Sequence, residues 1–174
     1  MKKLNLQLFA EAVQGKDIVY LFRQLSKAEE SNAVVMAFTT ENERTKSKDA
    51  DTVVTKDGSM RVPGSVEIEI TATALLAKGD PLAEELEDAM DNDEIMEIWE
   101  VNMDEPGTGE NKFKARYFQG YLTEFSLSSS AEDHAEYSTT FAINGSGAKG
   151  EATLSAEQQK IASYVFKDTQ KTGA

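Results

Sequence analysis

The chain has 174 residues and a mass of 19.1 kDa, the size of one domain with arms, and long enough to bury a core. It has no cysteine, which excludes disulfides, zinc–thiolate sites and thiol nucleophiles. Its net charge of −13 excludes the cation-led grip on phosphate that non-specific nucleic-acid binding needs.

The chain opens with Leu4, Leu6 and Leu8 alternating with Asn5 and Gln7. That apolar run is too short and too interrupted for a signal peptide, and it reads as an arm or edge strand within residues 1–15. No stretch approaches the roughly 18 apolar residues of a membrane span. Ile18-Val19-Tyr20-Leu21-Phe22-Arg23 is β-branched and aromatic and predicts a strand. Residues 26–32 are turn-like, and residues 33–39 predict a second strand.

Residues 40–62 change character. Glu41, Glu43, Asp49, Asp51 and Asp57 cancel Arg44, Lys46, Lys48, Lys56 and Arg61, and little is left to bury. The stretch reads as a long loop ending in a small hairpin, with Asp57-Gly58 as its two-residue turn and short strands at 52–55 and 59–62. A connection of this length is either an interaction loop or a solvated linker. The candidate contact residues are Lys46, Lys48, Asp49, Asp51, Lys56, Asp57 and Arg61.

The rest of the chain is organised around residues 62–103. Val66, Ile68, Ile70, Ala72 and Ala74 alternate with Glu67, Glu69, Thr71 and Thr73, which predicts a strand with one dry and one wet face. Asp80 as cap and Pro81 at the first helical position start a helix with Leu82, Leu86 and Met90 on its apolar side. A second strand over residues 94–103 places Ile95, Trp99 and Val101 on one side, and Met96 and Ile98 on the other. It is therefore expected to be covered on both faces. Between residues 81 and 111 lie twelve acidic residues and no Lys or Arg.

A Gly/Pro loop follows, then a long strand over residues 113–127. Phe113, Ala115, Tyr117, Tyr121, Phe125 and Leu127 share one parity, and Gly120 marks a bulge or close approach. Residues 135–143 alternate as another strand. A short strand at 151–154 leads to a helix with Ser155 and Gln158 as a capping box and Ile161, Tyr164 and Val165 as its stripe. The tail over residues 167–174 is polar. The sum is a mainly β (α+β) domain of about seven or eight antiparallel strands, a sandwich or curled barrel, with a flanking helix and a short C-terminal helix.

Catalytic and ligand signals are weak. Gly145-Ser146-Gly147-Ala148-Lys149-Gly150 matches G-x-G-x-x-G in form, but no helix starts within it, so it reads as a turn. His134, the only histidine, stands in a polar turn. The acidic stretch offers carboxylates for a glycosidase pair or a calcium site near Asp91-Asn92-Asp93 or Asp104-Glu105. Nothing singles out two catalytic groups, and neither segment fits the EF-hand loop. No cofactor or metal is expected, and no enzyme. A free edge strand and a charged loop instead suit a protein that assembles with itself.

The words themselves are familiar. Leu4-Asn5-Leu6-Gln7-Leu8-Phe9-Ala10-Glu11-Ala12-Val13-Gln14-Gly15-Lys16 and Ile18-Val19-Tyr20-Leu21-Phe22-Arg23 resemble the start of major tail tube proteins of long, non-contractile-tailed bacteriophages. Lys46-Ser47-Lys48-Asp49, Thr55-Lys56-Asp57-Gly58 and Ala77-Lys78-Gly79-Asp80-Pro81 continue the resemblance. So do Glu97-Ile98-Trp99-Glu100-Val101-Asn102 and Tyr164-Val165-Phe166-Lys167-Asp168-Thr169. The resemblance implies a β-sandwich subunit, six to a ring, with rings stacked into a hollow tube around a tape-measure protein. It further implies a continuous barrel around the lumen, contacts between subunits through residues 40–62, and tail terminator and distal tail or baseplate proteins as end partners. It implies a virion protein made in the host cytoplasm, with no membrane partner and no catalytic residues.

Physical chemistry adds two expectations. Contacts through a loop of mixed charge are salt-sensitive, because exposed ion pairs are screened beyond about 8 Å at physiological salt. An acidic lumen offers DNA no place to stick, and Glu67 and Glu69 are the candidates to line it. The rival reading is a carbohydrate- or receptor-binding β-sandwich module of a virion, which needs clustered exposed aromatics.

Overall fold

A computed structural model describes residues 12–162 of the chain. The arm expected within residues 1–15 is therefore seen only from Ala12, and residues 12–14 are exposed and irregular. Tyr164, Val165, the side chain of Ile161 and the tail at 167–174 lie outside the described part.

Eight strands form one sheet in which every pairing is antiparallel: β1 Ile18–Gln24, β2 Val34–Val35, β3 Thr39–Thr55, β4 Gly58–Leu75, β5 Met96–Pro106, β6 Lys112–Ser128, β7 Glu136–Ile143 and β8 Ala148–Thr153. Their order is β2-β1-β5-β6-β7-β4-β3. The strand β8 takes the first part of the β6 edge that β7 takes further on. Two helices, α1 Pro81–Asp91 and α2 Ala156–Ala162, complete the expected mainly β fold. The sheet curls but does not close.

The curl is visible in the larger core. Tyr20 and Phe22 of β1 meet Ile68, Ile70, Ala72 and Ala74 of β4, although three strands separate them along the sheet. Phe22 stacks on Phe141 at 5.3 Å. The helix α1 covers this core with Leu82, Ala83, Leu86 and Ala89, and Asp80 caps it by accepting the Leu82 N–H at 3.0 Å. Met90, expected on the apolar stripe, is instead exposed. Ala89, three residues after Leu86 and so on the same face of the helix, is buried in its place. A second, smaller core lies on the opposite face of β1 and β5. It gathers Val19, Leu21, Val35, Val101 and Leu154, with Trp99 packed against it. Cores on both sides explain why β1 and β5 carry apolar residues at both parities.

Four local expectations are corrected. Residues 33–39 make only the two-residue β2, because Met36 turns into the core and Ala37-Phe38 form a tight turn. Residues 40–62 are not a loop: β3 and β4 form one continuous ribbon, paired from Thr39↔Ala74 to Thr55↔Gly58, with Lys56-Asp57 as the turn. In β6 the fully buried residues are Phe118 and Leu122, of the parity opposite to that expected. A register shift between Leu122 and Glu124 then returns Phe125 to the core, leaving Tyr121 and Leu127 exposed. The last strand begins at Ala148, not Glu151, and its pairing with β6 uses the second half of the glycine-rich segment. The Ser155–Gln158 capping box forms as expected, with both reciprocal hydrogen bonds in place.

Gly120 stands where three strands press together. A Cβ there would lie 2.3 Å from the Ala142 carbonyl oxygen. Gly120→Ala is expected to shift β6 against β7 and to cost about 1–3 kcal/mol, read as a lower denaturant midpoint.

Among the described residues the buried Tyr137 hydroxyl has no hydrogen-bond partner. Burial, followed by the Asp80 charge, pushes its phenol up to about 12. The folded chain therefore keeps a proton that the unfolded chain loses near pH 10. Stability is full below that pH and falls as the pH rises toward 12. Tyr137→Phe removes an orphaned polar group, so it is expected to match or exceed wild-type stability at pH 7 and to lose less between pH 10 and 12.

Candidate assembly surfaces

The outer part of the β3–β4 ribbon is an arm. β4 pairs with β7 only from Glu69 onward, so residues 48–66 pair with nothing but each other among the described residues. Lys46, Lys48, Asp49, Asp51, Lys56, Asp57 and Arg61 are all exposed on this ribbon. Lys46 pairs across from Ile68, Lys48 from Val66 and Asp51 from Val62; Lys56 and Asp57 form the tip. Asp49 sits at a register shift opposite Gly64. Arg61 donates to the ribbon's own Ala50 carbonyl at 3.3 Å. Among the described residues none of the seven is in an ion pair.

The body is different. Among the described residues its ion pairs join Arg23 to Glu97, Lys27 to Glu85, Arg44 and Arg116 to Glu100, and Lys114 to Glu105. Four of the twelve acids in residues 81–111 are thus met by cations from elsewhere in the sequence. Glu84, Glu87, Asp88, Asp91 and Asp93 remain exposed on and after α1. Among the described residues no cluster of three or more carboxylate or imidazole groups has the spacing of a metal site.

Glu100 is the junction. It accepts from the Tyr20 hydroxyl at 2.8 Å, bonds Arg44 and lies 3.7 Å from Arg116. One carboxylate thereby ties β1, β3, β5 and β6. It raises the Arg44 guanidinium still further, through their hydrogen bond first. It also adds to the burial that raises the Tyr20 phenol. Among the described residues this contact crosses the gap between β1 and β3, where the curled sheet has no strand pairing.

Alternation decides the rest. On the side of β3, β4, β7 and β6 turned away from the α1 core stand Glu41, Glu43, Thr45, Ser47, Glu67, Glu69, Thr71, Ser138, Thr140, Tyr121 and Glu124. Glu136 and Ser128 extend the row. Among the described residues this four-strand face carries six glutamates and no Lys or Arg. The cations of β3, Arg44, Lys46 and Lys48, have the other parity and lie on the core side. Glu67 and Glu69 are exposed here and not covered by α1. Glu41, Glu43, Glu124 and Glu136 were missed in the sequence. For the first two the signal was present as charge sorted by parity over residues 41–48, acids at odd positions and cations at even ones, hidden once the segment is read as a loop.

Trp99 is engaged on both sides, under the Arg23 guanidinium at 5.1 Å and against Tyr117 at 5.3 Å.

This fold, a curled open sheet with one helix over its core and a long projecting ribbon, is that of tail tube subunits. The solved SPP1 tail tube shares it at a TM-score of 0.72 over 94% of this chain and 95% of that one, at 20% identity. The tail of an empty gene transfer agent particle, refined with C6 symmetry, shares it at 0.61 over 79% of this chain and 98% of that one, at 16% identity. Residues 12–149 match the family model of the phage tail tube protein. A tail protein of Staphylococcus phage phiMR25, described as putative, is 37% identical over 170 residues, covering 95% of this chain and 87% of its own. The tail tube protein of Bacillus phage SPP1 is 26% identical over 161 residues, which take in 92% of this chain and 60% of that protein. The chain belongs to the phage tail tube protein family, a structural component of the virion tail and not an enzyme. Among the described residues no helix is long and apolar enough to cross a membrane.

Glu100→Ala leaves Arg44 and the Tyr20 hydroxyl half-buried without their acceptor. It is expected to cost about 2–3 kcal/mol and to raise amide exchange in residues 41–48 more than in β7.

Proposed function

We propose that copies of this chain pair into six-membered rings, that the rings stack into a tube around a tape-measure protein, and that the glutamate face lines the bore through which DNA leaves. The observation that carries the reading is the four-strand face with six glutamates and no cation. DNA presents one negative charge per about 1.7 Å of its axis, so such a wall gives it no site at which to pause. The free outer edge of β3 and the short cover on β1 leave rows of backbone donors and acceptors that a neighbouring copy completes. The C6 symmetry of the gene transfer agent tail supports six copies to a ring. The ends of such a tube present the same unmet surfaces, which tail terminator and distal tail or baseplate proteins would cover. The unpaired charges of the arm, Lys46, Lys48, Asp49, Asp51, Lys56, Asp57 and Arg61, suit contacts between subunits.

A cryo-EM map of the polymerised protein tests this directly. Six-fold rings with Glu67 and Glu69 at the inner wall are expected; a bore lined by Lys or Arg, or these glutamates on the outer surface, would refute it. The double variant Glu67→Lys/Glu69→Lys is expected to polymerise but to slow DNA release from virions. If arm charges join the subunits, raising salt from about 0.1 to 1 M, which cuts the screening length from about 10 to 3 Å, should weaken polymerisation severalfold in light scattering.

A further inference from the structure

We propose that Asn144 is a self-modifying site: the Gly145 backbone nitrogen attacks its side-chain amide, and the turn between β7 and β8 ends as a mixture of aspartate and isoaspartate. The reaction needs one copy only and is independent of assembly.

Asparagine is a thermolabile residue. Loss of its amide is limited by the approach of the next backbone nitrogen to Cγ, and a Cβ on the next residue hinders that approach. Glycine has none. Asn144 is the one asparagine of this sequence that glycine follows. Asn144, Gly145, Ser146 and Gly147 are exposed and lie between the strands. Gly145 has φ 69°, and the space where its Cβ would stand is open, with no atom within 4 Å. Among the described residues its N–H donates to no backbone carbonyl, and the Asn144 side chain makes no hydrogen bond.

Other asparagines are restrained. Asn92 donates to the Asp88 carbonyl at 2.7 Å, Asn102 bridges the Asp104 N–H and Glu105, and Asn111 accepts from Gln159 at 3.2 Å. Asn42 lies in the paired part of β3 with its Oδ1 buried, and Asn32 precedes Ala33, which has a Cβ. Asp57-Gly58 has the same small follower, but Gly58 is paired with Thr55 in the ladder.

The step needs only water. The Gly145 nitrogen gives up its proton, bonds to Asn144 Cγ and closes a cyclic imide. The Cγ–Nδ2 bond breaks, and ammonia leaves with that proton. Water then opens the ring. Breaking the new bond gives aspartate; breaking the original peptide bond gives isoaspartate, with the chain rerouted through Cβ and Cγ and one carbon longer. Either product adds one negative charge to the chain's −13.

The turn has little slack for that carbon. The Asn144 N–H is tied to the Gln119 carbonyl at 2.7 Å. Gly147, at φ 70°, stands so near Phe118 that a Cβ would lie 2.4 Å from its ring. Here β6 passes from β8, paired up to Tyr117↔Ala148, to β7, paired from Gly120↔Ile143. The added carbon falls on the β8 side of the tie, so the first pairs of β8 are the ones to loosen.

The full chain is incubated in mildly alkaline and in mildly acidic buffer, digested and read by mass spectrometry. Isoaspartate is counted by enzymatic methyl transfer from S-adenosylmethionine. The peptide holding residues 144–145 is expected to turn from amide to acid at least tenfold faster in the alkaline buffer, because the attacking nitrogen must lose its proton. Methyl-accepting product is expected in wild type and not in Asn144→Gln, whose ring would be one atom larger. Amide exchange at residues 148–150 is expected to rise severalfold in the aged wild type, but not in fresh Asn144→Asp, which carries the charge on an unaltered backbone. An amide still intact in the folded chain after a free peptide of residues 141–148 has converted would overturn the proposal, as would another asparagine converting first. Unchanged exchange in fully converted protein would overturn the loosening of β8.

Discussion

A sheet that curls without closing must hold its shape by something other than a backbone ladder. Here the body is held by a core shared between strands far apart in sheet order, and by Glu100, which gathers Tyr20, Arg44 and Arg116 across the open seam. A side-chain tie of this kind fixes the curvature yet leaves the edges unpaired. Closing the seam with backbone bonds would have made a self-sufficient barrel with no edges to share. The same carboxylate therefore serves the stability of the subunit and the availability of its edges.

Charge is sorted by the pleat. Within residues 41–48 the acids and hydroxyls take one parity and the cations the other, so a segment with more cations than acids still presents an anionic surface on one side of the sheet. In the acidic stretch from 81 to 111 the opposite happens. Glu85, Glu97, Glu100 and Glu105 are met by cations from elsewhere in the fold, and Glu84, Glu87, Asp88, Asp91 and Asp93 are left exposed on and after α1. Net charge along the sequence and net charge across a surface are different quantities, because alternation divides the first and tertiary pairing rearranges it.

The two-sided burial of β1 and β5 makes this possible. With cores on both faces these strands form the doubly covered end of the sheet, and β4 and β3 stand at the other end, joined to it through β6 and β7. Ile68, Ile70, Ala72 and Ala74 anchor the near half of the ribbon and set its register. Without that anchor a ribbon polar on both faces would be prone to slip. The far half inherits the register and carries it out to Lys56-Asp57.

The sequence alone determined the elements whose pattern is local. The alternation from Val66 to Ala74, the Asp80–Pro81 helix start, the Ser155–Gln158 box, the close approach at Gly120 and the mainly β class all follow from periods and caps read over a few residues. The family was legible in words spread along the chain. The ribbon over residues 40–62 was not, because hydrophobic alternation vanishes where both faces are wet, and only continuation from the anchored half of β4 makes it a strand. The parity of β6 was hidden by a register shift that no residue announces. Only the tertiary structure brought Glu100 to Arg44 and gathered six glutamates onto one face. These groupings depend on strand order and curl, and such long-range geometry is decided by how whole strands pack, not by the residues beside each position.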